Sequence, residues 1–213
     1  MTQLDDPAQL REPKKLGRKR DHTRDPEILD AALEVLAETG YDGMTIDMVA
    51  AKAKAGKATL YRRWASKGEL VIEAVACMKQ VDPEDVPDTG TLRGDLVAMI
   101  KPPAIHDAER KVRVMAGLTS MISRDPELAD AAYAAIVEPR AAVNRRLLRR
   151  AIDRGEIPAG TDIETVSLIS QSMATYRAVM LRKPVDREFL LSVIDGVLMP
   201  LLGLTPGTGE RRS

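Results

Sequence analysis

The chain has little of the chemistry that enzymes and disulfide-stabilised proteins use. Its 213 residues include one cysteine, two histidines and only 3% aromatic residues. A single cysteine, Cys77, excludes a disulfide within the chain, and its apolar sequence neighbours predict a buried, unreactive thiol. Neither His22 nor His106 has metal-ligand spacing or lies near Cys77 in sequence, so no cofactor, metal site or Cys–His nucleophile is predicted.

Long apolar runs are also missing. No segment approaches the roughly 18 apolar residues that a membrane span requires, and the N-terminus lacks the apolar centre of a signal peptide. We therefore expect a soluble, cytoplasmic protein without membrane contact. The tetrad at 56–59, GKAT, resembles part of a phosphate-binding loop. However, Ala51 stands where such a loop has its first glycine, and no strand precedes it, so an enzyme is not predicted.

Acidic residues are absent between Met48 and Gly68, although the whole chain has a formal net charge of zero. The cations of this stretch are Lys52, Lys54, Lys57, Arg62, Arg63 and Lys67. A local basic patch attracts phosphate and makes binding salt-dependent. The alternative interpretation is a solvated helical hairpin with ordinary surface lysines.

The same stretch has the pattern of a helix-turn-helix. Apolar residues at 46, 49, 50 and 53 form one face of a first helix, with Thr45 as its N-cap. The short turn at 54–56 contains a glycine, and a second helix is predicted over about 57–64. Leu60 and Trp64 face inward on that helix. A polar outer face is then left, which suits entry into a DNA major groove. Ser66 and Glu69 form a capping box that begins the next helix.

The run from Thr45 to Lys67, with its triplet Thr59-Leu60-Tyr61, the aromatic Trp64 and the pair Ser66-Lys67, resembles the DNA-binding signature of tetracycline-repressor-type (TetR family) regulators. The likeness covers roughly 25–76. It implies a homodimeric, all-helical repressor that a small ligand releases from DNA. Two positions depart from the family pattern. Gly56 replaces a capping Ser or Thr, and Lys54 replaces a glycine, so that the turn needs Lys54 or Ala55 in a less comfortable conformation.

The predicted fold is all-α, with about nine helices judged from apolar periodicity. Residues 1–24 are predicted to be a disordered basic arm. Residues 25–76 form the helix-turn-helix DNA-binding domain, 77–204 the helical ligand-binding and dimerisation domain, and 205–213 a tail. The helix that begins near Ser66 is expected to be shared by both domains, because three short helices bury little surface alone. Pro139 predicts a kink or break in a long helix.

DNA contacts follow from the phase of the second helix. Lys57, Ala58, Thr59 and Arg62 are predicted to face base edges. Thr45, Tyr61, Arg63 and Lys67 are predicted to hold phosphates. Arg18, Lys19 and Arg20 of the arm are predicted to enter the minor groove, with a merely solubilising tail as the alternative. The arginine-rich side of the helix after Pro139 is interpreted as a solvated face or a partner contact in preference to a second DNA surface.

The C-terminal half predicts dimerisation and, through the family resemblance, a ligand cavity. The final helix is apolar nearly all round, so it and the preceding helix are expected to pair with their copies across a two-fold axis. The predicted interface residues are Ser170, Ala174, Ala178, Phe189, Val193, Val197 and Leu201. The candidate cavity lining is Met99, Met115, Leu118, Met121, Tyr133, Met173, Tyr176 and Arg177, with ordinary core as the alternative for each.

The predicted function is that of a sequence-specific transcriptional regulator on a near-palindromic operator, a repressor released by a small-molecule effector. A ligand-independent DNA-binding regulator and an architectural DNA-binding protein are the alternatives.

Overall fold

The protein is described here from a computed structural model that covers residues 25–79, 86–100 and 108–205. The helices are α1 (Asp25–Gly43), α2 (Ile46–Lys52), α3 (Lys57–Arg63), α4 (Lys67–Met78), α5 (Leu92–Ala98), α6 (Ala108–Ile122), α7 (Pro126–Ala132), α8 (Glu138–Asp153), α9 (Ile163–Val179), α10 (Arg187–Val193) and α11 (Met199–Leu201). Helices α7 and α8 are continuous, as are α10 and α11, so the described residues form nine helical rods and the predicted all-α fold is confirmed.

Side chains that accept backbone hydrogen bonds fix where many of these helices begin. A hydroxyl or carboxylate oxygen accepts from the N–H three residues ahead at Thr45, Ser66, Thr91, Asp125, Asp162 and Asp186. At the start of α4 the cap is reciprocal, because the Glu69 carboxylate also accepts from the Ala65 N–H at 2.9 Å. The predicted capping box is therefore present, with its return bond one residue earlier than usual.

Two prolines lie inside continuous rods, each just after a π-helical turn. Pro139 follows the turn Tyr133–Val137, and Pro200 follows the turn Ile194–Leu198. A proline ring clashes with the carbonyl four residues earlier, and a wider π turn accommodates the chain there. The predicted break at Pro139 is thus a π turn ahead of the proline.

The first core joins α1–α4 to the C-terminal half. Helix α1 packs against α2, α4 and α6. Gly117 of α6 allows the close approach, because a Cβ there would lie 2.7 Å from the Leu36 side chain. Val114 and Met121 of α6 are buried with the residues of α1 and α4. Helix α4 belongs to this shared core, as expected.

The second core is built from α5, α8 and the C-terminal rod, which consists of α10 and α11. Leu92, Leu147 and Met199 are fully buried in it. Beside this core the Asp95 carboxylate is also fully buried, where it accepts from the Thr89 N–H and from Arg154. The arginines of α8 beyond residue 144 are largely paired with acids of the same chain, namely Arg145 with Glu138 and Glu164, Arg149 with Glu164, Arg150 with Asp88 and Asp95, and Arg154 with Asp88, Asp95 and Glu156. Intrachain pairing, which the sequence interpretation did not consider, accounts for this face.

The prediction of a buried Cys77 was wrong. The thiol is exposed, because Glu69, Glu73 and Cys77 follow one another at four-residue spacing on the solvent side of α4. Within the described ranges, none of the helices combines the length and apolar character that crossing a bilayer demands.

Candidate nucleic-acid interface and internal cavity

Two buried side chains hold α3 against the first core. Leu60 is fully buried and Trp64 is 3% exposed, as the sequence predicted. The Trp64 indole N–H donates to Glu73 Oε2 at 2.6 Å, which ties the end of α3 to α4. With this side fixed, the opposite side of α3 faces outward, where Lys57, Ala58, Tyr61 and Arg62 are exposed and Thr59 is half-buried.

Arg62 stands out on this outward face. Among the described residues, no hydrogen bond or ion pair engages its guanidinium. Tyr61 beside it exposes 58% of its surface. An exposed guanidinium and an exposed phenol on one helix face provide donors for base edges and phosphate oxygens.

The turn between α2 and α3 contains a left-handed lysine. Lys54 has φ of 49°, which is the strained position that the sequence suggested. The Ala55 N–H donates to the Ala50 carbonyl and the Lys54 N–H to the Ala51 carbonyl, so Lys54 occupies the position where such helix ends favour glycine. Gly56 caps α3 without a side-chain hydrogen bond.

The fold brings acids to the acid-free stretch. Lys52 pairs with Glu34 and Glu38 of α1. Lys57 lies 2.5 Å from the Asp47 carboxylate, and both side chains are well exposed. An exposed pair of this kind contributes about 0–1 kcal/mol, so Lys57 can exchange its acid for a phosphate at little cost.

Two of the predicted phosphate ligands have partners inside the chain. Arg63 forms an ion pair with Asp25 at the start of α1, and both side chains are largely buried. Lys67 donates from Nζ to the carbonyls of Tyr41 at 2.7 Å and Met44 at 3.0 Å, and its ammonium lies 4.2 Å from the centre of the Tyr41 ring. Both residues therefore fix the α3 and α4 termini against α1.

Thr45 is exposed at the start of α2, where its hydroxyl oxygen accepts from the Met48 N–H at 3.2 Å. The hydroxyl proton remains available to a phosphate. The arm residues Arg18, Lys19 and Arg20 lie outside the described residues.

A cavity that is partly open to solvent lies between the two cores. A lobe of about 340 Å³ is lined by α4, α6, α8, α9 and the residues near α10. A second lobe of about 240 Å³ extends toward α5. Their linings share Met78, Lys79, Arg140, Ser170 and Leu190. The volume of the larger lobe falls within the range of small-molecule sites in proteins.

Two of the predicted lining residues lie on the walls of this cavity. Met115 lines the larger lobe and Met99 the smaller one. The other predictions do not fit the two lobes. Leu118 and Met121 belong to the core shared with α1, while Tyr133 and Tyr176 are 48% and 60% exposed. Met173 is half-buried outside both linings.

Arg177, the predicted polar anchor, lies outside both linings. It donates to the Pro184 carbonyl, approaches Asp186 and stacks 4.4 Å from the Phe189 ring.

The sequence interpretation missed the cations of the lining, which are Lys79, Lys111 and Arg140. The sequence interpretation includes Arg140 in the arginine-rich side of the helix after Pro139. Its spacing to Asn144, Leu147 and Ala151 places it instead on the buried face of that helix. The periodicity was therefore sufficient to find it.

The predicted interface residues fall into two groups. Ser170, Ala174 and Ala178 line the larger lobe, so their small side chains leave room for the cavity. Val193 is buried within its own chain, Phe189 and Val197 are half-buried, and Leu201 is 58% exposed.

These features define a helix-turn-helix DNA-binding protein, with an outward-facing second helix and a cavity in a helical body. Comparisons with known proteins agree. Residues 28–74 match the family model "Bacterial regulatory proteins, tetR family", and residues 86–197 match "Tetracyclin repressor-like, C-terminal domain".

Similar proteins share nearly the whole chain. A helix-turn-helix-type transcriptional regulator of Mycobacterium tuberculosis is 34% identical over 187 residues, which is 87% of this chain and 90% of that protein. The DNA-binding transcriptional repressor TetR of Mycobacteroides abscessus is 33% identical over 188 residues, covering 86% and 96%. The crystal structure of FadR from Bacillus subtilis with stearoyl-CoA has a TM-score of 0.60 at 20% identity, covering 83% and 96%.

The chain belongs to the TetR family of bacterial transcriptional regulators. It is a helix-turn-helix regulator of transcription.

Proposed function

We propose that the protein is a homodimeric repressor that binds a near-palindromic operator and leaves it when a small molecule occupies the cavity between the two cores. The outward face of α3, on which Arg62 has no partner among the described residues, is the observation that carries the DNA-binding part. Two copies of α3 about 34–36 Å apart, or a multiple of that distance, would read successive major grooves. A role on chromosomal DNA places the protein in the cytoplasm.

The contacts divide by chemistry. Arg62 and Lys57 are suited to guanine, and Ala58 or Thr59 to a thymine methyl group. Thr45 and Tyr61 are suited to phosphates, while Arg63 and Lys67 act first by holding α3 and α4 in place. The arm residues 18–20 are proposed to add minor-groove contacts.

Helix α4 supports the link between ligand and DNA. Its last turn, with Met78 followed by Lys79, lines the cavity, and its first turn carries Lys67, which is bonded to the α1–α2 corner. A ligand that favours one position of α4 therefore favours one spacing of the two DNA-binding heads. Weakening the operator complex 100-fold requires about 2.7 kcal/mol of differential affinity. FadR of Bacillus subtilis, solved with stearoyl-CoA, supports a ligand-holding role for this fold.

Selection of operator sequences from random DNA with the full-length protein, followed by fluorescence anisotropy at physiological salt, tests the proposal. Arg62→Ala should weaken operator binding by about 1–3 kcal/mol and relax the preference at one base position. Since the side chain is exposed and unpaired among the described residues, thermal stability should be unchanged.

Arg149→Ala is the matched control, because Arg149 is an exposed arginine on α8 and should leave operator affinity intact. Equal losses in the two variants, or no loss for Arg62→Ala, would contradict the assignment of α3 as the reading helix.

A further inference from the structure

The cavity contains an unusual concentration of positive charge. Lys79 and Arg140 line both lobes, and Lys111 lines the larger one. The remaining lining is mainly apolar, with Met115, Ile136 and Leu190 among its side chains. Among the described residues, no carboxylate belongs to the lining. Lys79 and Arg140 therefore lie where the two apolar lobes meet.

Arg140 differs from its neighbours on α8. Arg145, Arg149, Arg150 and Arg154 each form ion pairs with acids of the same chain. For Arg140 and for Lys79, the described residues offer no carboxylate within 4.0 Å. The chain thus neutralises its arginines elsewhere on this helix and leaves a cation facing the cavity.

Arg140 is half-buried, and Lys79 is exposed at the edge of the cavity. A partly desolvated cation without a partner is unfavourable, and an anion that enters the site relieves this cost. Burial lowers the pKa of Arg140 and of Lys79 from their ordinary values, which is the direction expected for cations that lack a counter-ion. A guanidinium presents its donors in a planar fork that matches carboxylate or phosphate oxygens.

We propose that the effector is an amphipathic organic anion, whose acidic headgroup binds Arg140 and Lys79 and whose aliphatic body fills the apolar lobes. This inference rests on the proposed ligand-released repressor and specifies the chemical class of its ligand. Lys111 adds positive charge to the larger lobe, and Met99 and Met115 supply adaptable apolar walls.

Four small-molecule probes with eight-carbon chains and different headgroups test the charge requirement. Octanoate, octyl phosphate, octanol and octyltrimethylammonium are titrated below their micelle concentrations into the full-length protein by calorimetry. At least one of the two anions should bind more than tenfold tighter than octanol, and the cation should bind most weakly. Octanoate against octyl phosphate identifies the headgroup. Equal binding of the anions and octanol, or binding of neither anion, overturns the proposal.

The variant Arg140→Gln locates the headgroup. It should lower anion affinity at least tenfold, leave octanol affinity unchanged and raise the melting temperature of the unliganded protein, because a partly desolvated cation is removed. Arg149→Gln, on the exposed side of the same helix, should change none of these. An anion preference that survives Arg140→Gln would refute the assigned site.

Operator binding separates this inference from the proposed function. If octanoate or octyl phosphate binds through Arg140 but leaves the operator complex intact, the ligand class is supported and release by ligand is wrong. If the anions fail to bind while Arg62→Ala still weakens operator binding, the anion site is wrong and the DNA-binding proposal is supported.

Discussion

At the scale of single residues, acids from elsewhere in the chain neutralise several of the positive charges in the acid-free stretch between Met48 and Gly68. Asp25, Glu34, Glu38 and Asp47 supply ion pairs to cations that follow them in sequence. The sequence reveals the acid-free stretch and its helical phase, and with them the exposed face of α3. It does not reveal which cations the fold pairs, because the partners come from other helices. Arg62 is exposed and has no partner among the described residues, whereas its neighbour Arg63 is largely buried in an ion pair with Asp25.

The ion pair between Arg63 and Asp25 should stabilise the helix-turn-helix domain. Both side chains are mostly buried, so removal of one partner leaves a poorly solvated charge. A double-mutant cycle with Arg63→Gln and Asp25→Asn should show a coupling energy of about 1–3 kcal/mol, measured by urea unfolding. Additive effects of the two substitutions would show that the pair contributes nothing.

Lys54→Gly should stabilise the protein by about 1 kcal/mol, because glycine adopts a positive φ without the Cβ clash. The chain itself uses Gly155 and Gly203 at equivalent helix ends, each with positive φ. Ala51→Gly, one turn earlier in regular α2, is the control and should destabilise by about 1 kcal/mol. Urea unfolding of the three proteins measures both effects, and a loss of stability in Lys54→Gly would contradict the strain argument.

At the scale of elements, the contact between α1 and α6 joins the helix-turn-helix domain to the C-terminal half of the chain. Apolar periodicity predicted the all-helical fold, and the capping residues Thr45 and Ser66 predicted where two of the helices begin. The π turns could not be located from the sequence, because a proline signals a disturbance without specifying how the preceding turn responds. Nor does the sequence of α6 show that Gly117, of all its small residues, lies against Leu36.

Gly117→Ala should destabilise the protein by about 1–3 kcal/mol through overpacking. The new Cβ would lie 2.7 Å from the Leu36 side chain. Combined with Leu36→Ala, which leaves space, the loss should be smaller than the sum of the two single losses. Gly196→Ala is the control, since a Cβ there meets nothing within 4 Å. Thermal unfolding measures all four variants, and simple additivity would argue against a close contact.

At the scale of the whole molecule, the proposed dimer depends on apolar surface that the single chain leaves uncovered. Much of the C-terminal rod is buried in its own core, as Met199 and Leu202 show. Met180 remains 66% exposed and Leu201 58% exposed. The sequence predicted an apolar rod but could not divide its surface between the chain and a partner, because both use the same side chains.

The double variant Met180→Glu/Leu201→Glu should shift the protein from dimer to monomer and weaken operator binding more than Arg62→Ala does, because the two heads would no longer bind together. Sedimentation equilibrium gives the mass. Met48→Gln, which replaces an exposed apolar residue of the head, should leave the mass unchanged. A dimer that persists in the double variant would move the interface to another surface.

Helix α4 spans twelve residues from Lys67 to Met78. At 1.5 Å per residue it acts as a lever arm of about 18 Å between cavity and head. A tilt of only about 5° about the cavity end would displace the opposite end by about 1.6 Å over that length. A small structural change around a bound headgroup would thus be enough to move each α3 out of register with the major groove, without any unfolding of the protein.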